Sequence, residues 1–264
     1  MTAREILDAF APNRALSKTT MRLIVAVEAA FALAFWSFSP SPLLPKPAEV
    51  FGALRTLWLE QGLGRELLTS LSVNLEALAW TMLLSLSLCY LTVVPVARPI
   101  AAAVSKGRFL GLVGLTFVFT LLLGGGRPLK VALLVFGMSV FFVTSMLDVV
   151  EAIPKDRFDH ARTLRMGEWR VVWEVVVLGT MDKAFDVLRQ NAAIGWMMLT
   201  MVEGISRSEG GIGAMLLSQN RHFHLAEVFA IQLLILVVGI LQDYAIGGIR
   251  RLLCPYADLT LERR

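Results

Sequence analysis

The sequence predicts an all-α integral membrane protein with about six transmembrane helices. Composition and pattern both predict it. Hydrophobic residues make up 56% of the 264 residues and charged residues only 17%. An ordinary soluble domain has about 45–50% and about 25%. Mean hydropathy is +0.66. Uncharged apolar runs recur at lengths near the roughly 20 residues that a helix needs to cross a hydrocarbon layer of about 30 Å. This composition excludes a disordered chain, a collagen and a disulfide scaffold, and argues against a soluble enzyme.

The elements follow in chain order. Residues 1–21 form a cytoplasmic N-terminal segment, and 22–250 form the transmembrane domain. Ile6, Leu7 and Phe10 share one helical face, which suits either a short interfacial helix or a frayed tail. Spans are expected near 22–38, 73–97, 109–126, 130–149, 185–205 and 227–249. The first is not read as a cleavable signal, because a long stretch precedes it and no small-residue cleavage site follows. Ser39-Pro40-Ser41-Pro42 ends it instead. A helical pattern then runs from Pro47 to Leu59 on the outer side. Gly124-Gly125-Gly126 marks a tight turn after the third span. The fifth span is the least apolar, and residues 251–264 form a cytoplasmic tail.

Charge sets the expected orientation. The net charge of +4 comes from 25 Lys and Arg against 21 acids. With both termini inside, the outer segments hold only Lys46, Arg55, Arg65, Arg127, Lys130, Arg207 and Arg221. Cytoplasmic loops carry the excess of Lys and Arg, so both termini are placed in the cytoplasm. No basic run with interleaved aromatics occurs, and no nucleic-acid partner is expected. Cys89 lies in a span and Cys254 in the tail, which suits neither a disulfide nor a metal site.

The cytoplasmic segment 150–184 is too long for a plain connection. Ala161, Leu164, Trp169, Val172 and Trp173 recur near helical spacing, with Asp159, Arg162, Arg165, Glu168 and Arg170 between them. Such a helix either lies on lipid or docks into a partner's groove. Glu151, Asp156, Asp159 and Glu168 among the bases favour a partner.

Asp159-His160-Ala161-Arg162-Thr163-Leu164-Arg165-Met166-Gly167-Glu168-Trp169-Arg170, followed by Val175-Val176-Val177-Leu178, resembles the coupling loop of ABC importer permeases. Leu44-Pro45-Lys46-Pro47-Ala48-Glu49-Val50 resembles the Leu-Pro-x-Pro-x-x-Val segment of the nitrate, taurine and sulfonate branch. Glu203 followed by Gly210-Gly211-Ile212-Gly213 resembles the Glu…Gly-Leu-Gly segment after the fifth helix. Gly239 and Asp243 before Arg250-Arg251 resemble the end of the sixth. Together these motifs cover 44–256. The sequence departs from the pattern in three places. His160 stands where an Ala is usual, Arg165 stands where the Gly is usual with Gly167 two residues late, and Leu178-Gly179 replaces Leu-Pro.

The resemblance implies a type I importer fold with a cytoplasmic coupling helix, in the inner membrane of a prokaryote. It implies a permease subunit for a small solute, such as nitrate or a sulfonate. Its partners would be a separate ABC ATPase, a second permease copy forming a homodimer, an extracytoplasmic solute-binding protein and membrane lipid. The ATPase would be coupled through Asp159, His160, Ala161, Arg162, Leu164, Arg165, Gly167 and Trp169. Trp169 and Leu164 would be the apolar anchors; as an alternative, Trp169 and Trp173 are interfacial belt aromatics. The chain has no Gly-Lys dipeptide and so no phosphate-cradling loop. It is therefore not expected to be an enzyme or to hold a cofactor, and ATP and Mg would be bound by the partner.

Polar groups within spans mark a path through the bilayer. The candidates are Asn74, Glu76, Gln190, Asn191, Thr200 and Glu203, although Glu203 could instead cap the outer loop. No metal ligand set is expected, since His222 and His224 have no third ligand nearby. An ATP-independent secondary transporter or channel is the alternative, but it needs mid-span charges and often inverted repeats. Glu28 is the one charge well inside an expected span.

Overall fold

The computed structural model describes residues 17–39, 43–206 and 210–255. The expected interfacial helix near residues 2–10 and most of the tail lie outside the described residues. Among those described, the chain is helical with no strand.

Helix α1 spans Lys18–Ser37 and starts at Ser17, whose hydroxyl accepts the Thr20 N–H. Most of its apolar side chains are exposed, Phe31 and Phe35 among them, and Trp36 near its end packs on the core. The Trp36 indole N–H donates to the Pro45 carbonyl at 2.9 Å. Helix α2 is Pro47–Glu60. Proline suits its first turn because the N–H it lacks has no helical partner there. The Glu49 carboxylate accepts the Lys46 N–H at 3.1 Å. The Leu-Pro-Lys-Pro motif is thus a helix start, and Val50 and Leu57 are buried.

Helix α3 is Leu63–Leu91, so the second expected span begins ten residues early, directly after Gly62 in the left-handed region (φ 69°). Helix α6 is Arg127–Glu151 and lies parallel to α3. Arg127 pairs with Glu76 at one end (2.6 Å), and the Cys89 thiol meets the Val143 carbonyl near the other (3.8 Å).

The connection between them departs from expectation. Residues 109–126 were expected to form a straight span. The structure instead has α4 (Ala97–Lys106), a short turn over Gly107–Phe109, and α5 (Leu112–Leu123), bent by 115°. A hydropathy window reports apolar content but not direction. Gly124 (φ 75°) and Gly126 (φ 82°) then turn the chain into α6, as the triple glycine predicts.

After α6, α7 (Lys155–Thr163) and α8 (Glu168–Val171) form the expected helical loop. α8 continues through a widened i→i+5 turn over Val172–Val177 and a tight turn over Leu178–Thr180 into α9 (Met181–Ile205). Helices α10 (Ile212–Arg221) and α11 (Leu225–Leu253) complete the chain.

Helix α9 is the centre of the bundle and packs on α3, α6, α10 and α11. It fits α6 through reciprocal notches: a Cβ on Gly137 would meet the Met198 sulfur, and one on Gly195 would meet that of Met138. Small residues let helix backbones approach, and the flexible thioethers fill the notches. Helix α11 runs antiparallel to α9, joined by Arg189–Asp243 (2.6 Å) and Arg250–Asp186 (2.9 Å).

Four helices, α1 (from Thr19), α3, α6 and α11, are long and apolar enough to cross a membrane; the bent α4–α5 pair raises this to as many as five. The protein is an all-helical, membrane-spanning protein. Helix α9 is not among the apolar four, because Asp182, Lys183, Asp186 and Arg189 occupy its first turns. Its neighbours shield much of it, so it needs no apolar face all round.

Candidate functional site: a loop and a groove

The α7–α8 loop is built around one turn. The Met166 N–H donates to the Ala161 carbonyl and the Arg165 N–H to the Arg162 carbonyl. This double bond pattern closes a helix on a left-handed residue. That residue is Arg165 (φ 55°). The Gly usual in the resembling loops would therefore fall on the left-handed position here. Gly167 has φ −66° and open space around its Cα, so its conformation does not require glycine.

Arg162 braces the turn. It donates to Glu168 at 3.2 and 3.3 Å and lies 3.6 Å from Asp159. The Glu168 carboxylate holds the guanidinium above its ordinary range. Ala161 is buried and His160 exposed. Leu164, Trp169 and Trp173 are 60%, 72% and 57% exposed. An apolar trio this open, on a loop braced by charge, is a surface suited to burial by something else.

A groove of about 740 Å³ runs between α9 and α11, lined by Arg189, Trp196, Thr200, Gln232, Asp243 and Tyr244 among others. A second cavity of about 730 Å³ shares Thr200 and Gln232 with it and extends to Asn220 and Arg221. Thr200 is the one expected path residue that lines the groove. Asn74 and Asn191 are buried in the bundle, with neither amide atom of Asn74 hydrogen-bonded. Glu76 is tied to Arg127, and Gln190 is exposed. Arg189 does face the groove, but Asp243 neutralises it.

Glu203 is fully buried and clamps the turn before α10. Its carboxylate accepts the Ser70 hydroxyl (2.7 and 2.9 Å) and the Gly213 N–H (2.9 Å). Ser70 in turn accepts the Ile212 N–H at 2.8 Å, Glu66 accepts the Gly211 N–H, and the buried Lys130 donates to the Gly210 carbonyl at 2.8 Å. The glycines permit this closeness: Gly210 and Gly211 have φ 68° and 111°. Sequence reasoning missed Glu66, Ser70, Lys130 and Gln232. A lone Ser or Lys near a span end carries no local signal, and its partner is more than 70 residues away.

No protein-family model matches the chain, and no curated protein matches it.

Proposed function

We propose that this chain is the transmembrane permease subunit of an ATP-driven ABC-type importer for a small solute, plausibly a small anion such as nitrate or a sulfonate. A separate ATPase docks on the 159–178 loop, a second permease copy completes the pathway, and a binding protein delivers solute outside. Both termini face the cytoplasm.

One observation carries this reading: the charge-braced loop presents Leu164, Trp169 and Trp173 outward, where a lever needs an apolar contact face. Six crossings agree with the helix directions. Helices α3, α6 and α11 run parallel, so α4–α5 and α9 each return the chain, and α1 adds the sixth. When ATP closes the ATPase dimer, the two docked loops are drawn together and the bundles rock as rigid bodies. The α9–α11 groove, with Thr200 and Gln232 midway, then opens toward the other face.

The test is a pull-down of the detergent-solubilised protein, wild type against Trp169→Asp. The expected outcome is an ABC ATPase recovered with wild type and lost with the variant. A stable protein that recovers no ATPase in either form sinks the reading. The ATP-independent transporter then leads, and solute flux without ATP is its assay.

A further inference from the structure

We propose that Lys106 and Arg108, at the bend between α4 and α5, bind a small oxyanion or sulfonate at mid-depth beside the α9–α11 groove. The proposal rests on the permease reading and assigns the charge of its substrate to particular residues.

The depth comes from packing. A Cβ on Gly107, between the two bases, would lie 3.3 Å from the Val140 side chain and 3.6 Å from that of Phe136. Both lie near the middle of α6, the helix of highest hydropathy but one among the apolar four. Its 25 residues rise about 1.5 Å each and so overspan a hydrocarbon layer of about 30 Å. The bend therefore lies roughly 15 Å from either membrane face.

A charge at that depth is costly against lipid, and such residues face an aqueous cavity or a partner group. Lys106 and Arg108 are both exposed, and among the described residues neither makes an ion pair or a side-chain hydrogen bond. Arg108 lies 5.2 Å from the centre of the Phe109 ring, which does not neutralise it. The other groove bases differ. Arg189 is bound to Asp243, and Arg221 lies at the outer end.

The bend also adjoins the groove. Leu112 packs with Met198 over Gly137, and Val113, on the first turn of α5, lines the same cavity as Thr200 and Gln232. Among the described lining residues of the two cavities, Asp243 is the one carboxylate, and it is already paired. A solute passing Thr200 thus meets a field that is positive outside and at mid-depth and neutral at Arg189–Asp243. Such a field concentrates anions.

Lys106→Cys and Arg108→Cys, made singly in the full chain, test this in sealed vesicles. Cys89 and Cys254 are buried, which keeps the background low. The probes are two membrane-impermeant methanethiosulfonates, one bearing a sulfonate and one a trimethylammonium group. Both positions are expected to react, with the sulfonate faster by about tenfold after correction for a free thiol. Adding Lys106→Gln to Arg108→Cys should shrink that ratio. Methanesulfonate should slow the labelling in vesicles of phosphatidylcholine alone.

No labelling would place the pair against lipid, and equal rates would remove the anion field; either overturns the proposal. Protection that requires phosphatidylglycerol and is not reproduced by methanesulfonate assigns the bases to a lipid headgroup and also overturns it. Wild type gives an arm free of substitution: methanesulfonate raises its Tm in neutral lipid, or the proposal fails. None of these readings depends on ATPase recovery, so the permease reading can fail while this result stands.

Discussion

Gly213 shows how one atom decides a packing site. A Cβ there would lie 2.4 Å from the Thr200 carbonyl oxygen and 2.6 Å from its Cα. Helix backbone cannot yield as a side-chain tip does. Gly213→Ala should therefore cost about 2–4 kcal/mol, read as a lower Tm in detergent. The partner of that glycine is Glu203, whose truncation leaves the Gly213 N–H and the Ser70 hydroxyl buried and unpaired. Each orphaned group costs about 1–3 kcal/mol, so Glu203→Ala should destabilise more than Glu203→Gln, which keeps one acceptor oxygen. A path role for Glu203 would instead leave Tm unchanged in both variants. The Glu…Gly-Gly-Ile-Gly spacing was legible in the sequence, but not its purpose. Nothing local says that Ser70 and Lys130, on two other helices, close on the same four residues.

At the scale of the element, the α7–α8 turn separates conformation from residue identity. The sequence departs from the resembling loops by carrying Arg165 in place of glycine, which suggests a changed turn. The hydrogen bonds keep the turn and strain the residue: Arg165 itself takes φ 55°. A non-glycine residue there costs about 1–2 kcal/mol, partly offset by the extra freedom glycine has when unfolded. Arg165→Gly should accordingly stabilise the loop by up to about 1 kcal/mol, while Gly167→Ala should be neutral or slightly stabilising. Hydrogen exchange of the Met166 amide measures both. Slower exchange in Arg165→Gly is expected, and faster exchange would mean that the left-handed turn is not formed in the membrane. Helix existence was legible here from spacing alone, as it was for Pro47–Glu60. The α4–α5 bend was not. The uncharged run from Phe109 to Gly126 satisfies any apolar window whether it is straight or folded back, and the packing of Gly107 on Val140 settles the direction.

For the whole molecule, helix direction constrains the topology more than hydropathy does. Helices α3 and α6 are held parallel by Arg127–Glu76 and by Cys89 near Val143, and α11 is held antiparallel to α9 by two ion pairs. If α3, α6 and α11 each cross in one sense, the chain must return twice. One return falls to α4–α5, whose bend disguises it. The other falls to α9, whose buried Asn191 and charged first turns disguise it from a composition test. Single cysteines at Val96 and Gly125 bracket the first return, and cysteines at Gly167 and Asn220 bracket the second. All four sites are exposed. In sealed right-side-out vesicles, an impermeant thiol reagent should reach Gly125→Cys and Asn220→Cys, and should reach Val96→Cys and Gly167→Cys only after lysis. Gly167→Cys and Asn220→Cys reacting from one face would mean that α9 does not cross. That result would also detach the α7–α8 loop from the cytoplasm or the α10 turn from the outside, since α9 alone joins them. A bundle with three parallel crossings and only one return cannot be threaded through a bilayer, so the parallel packing of α3, α6 and α11 would then have to be wrong as well.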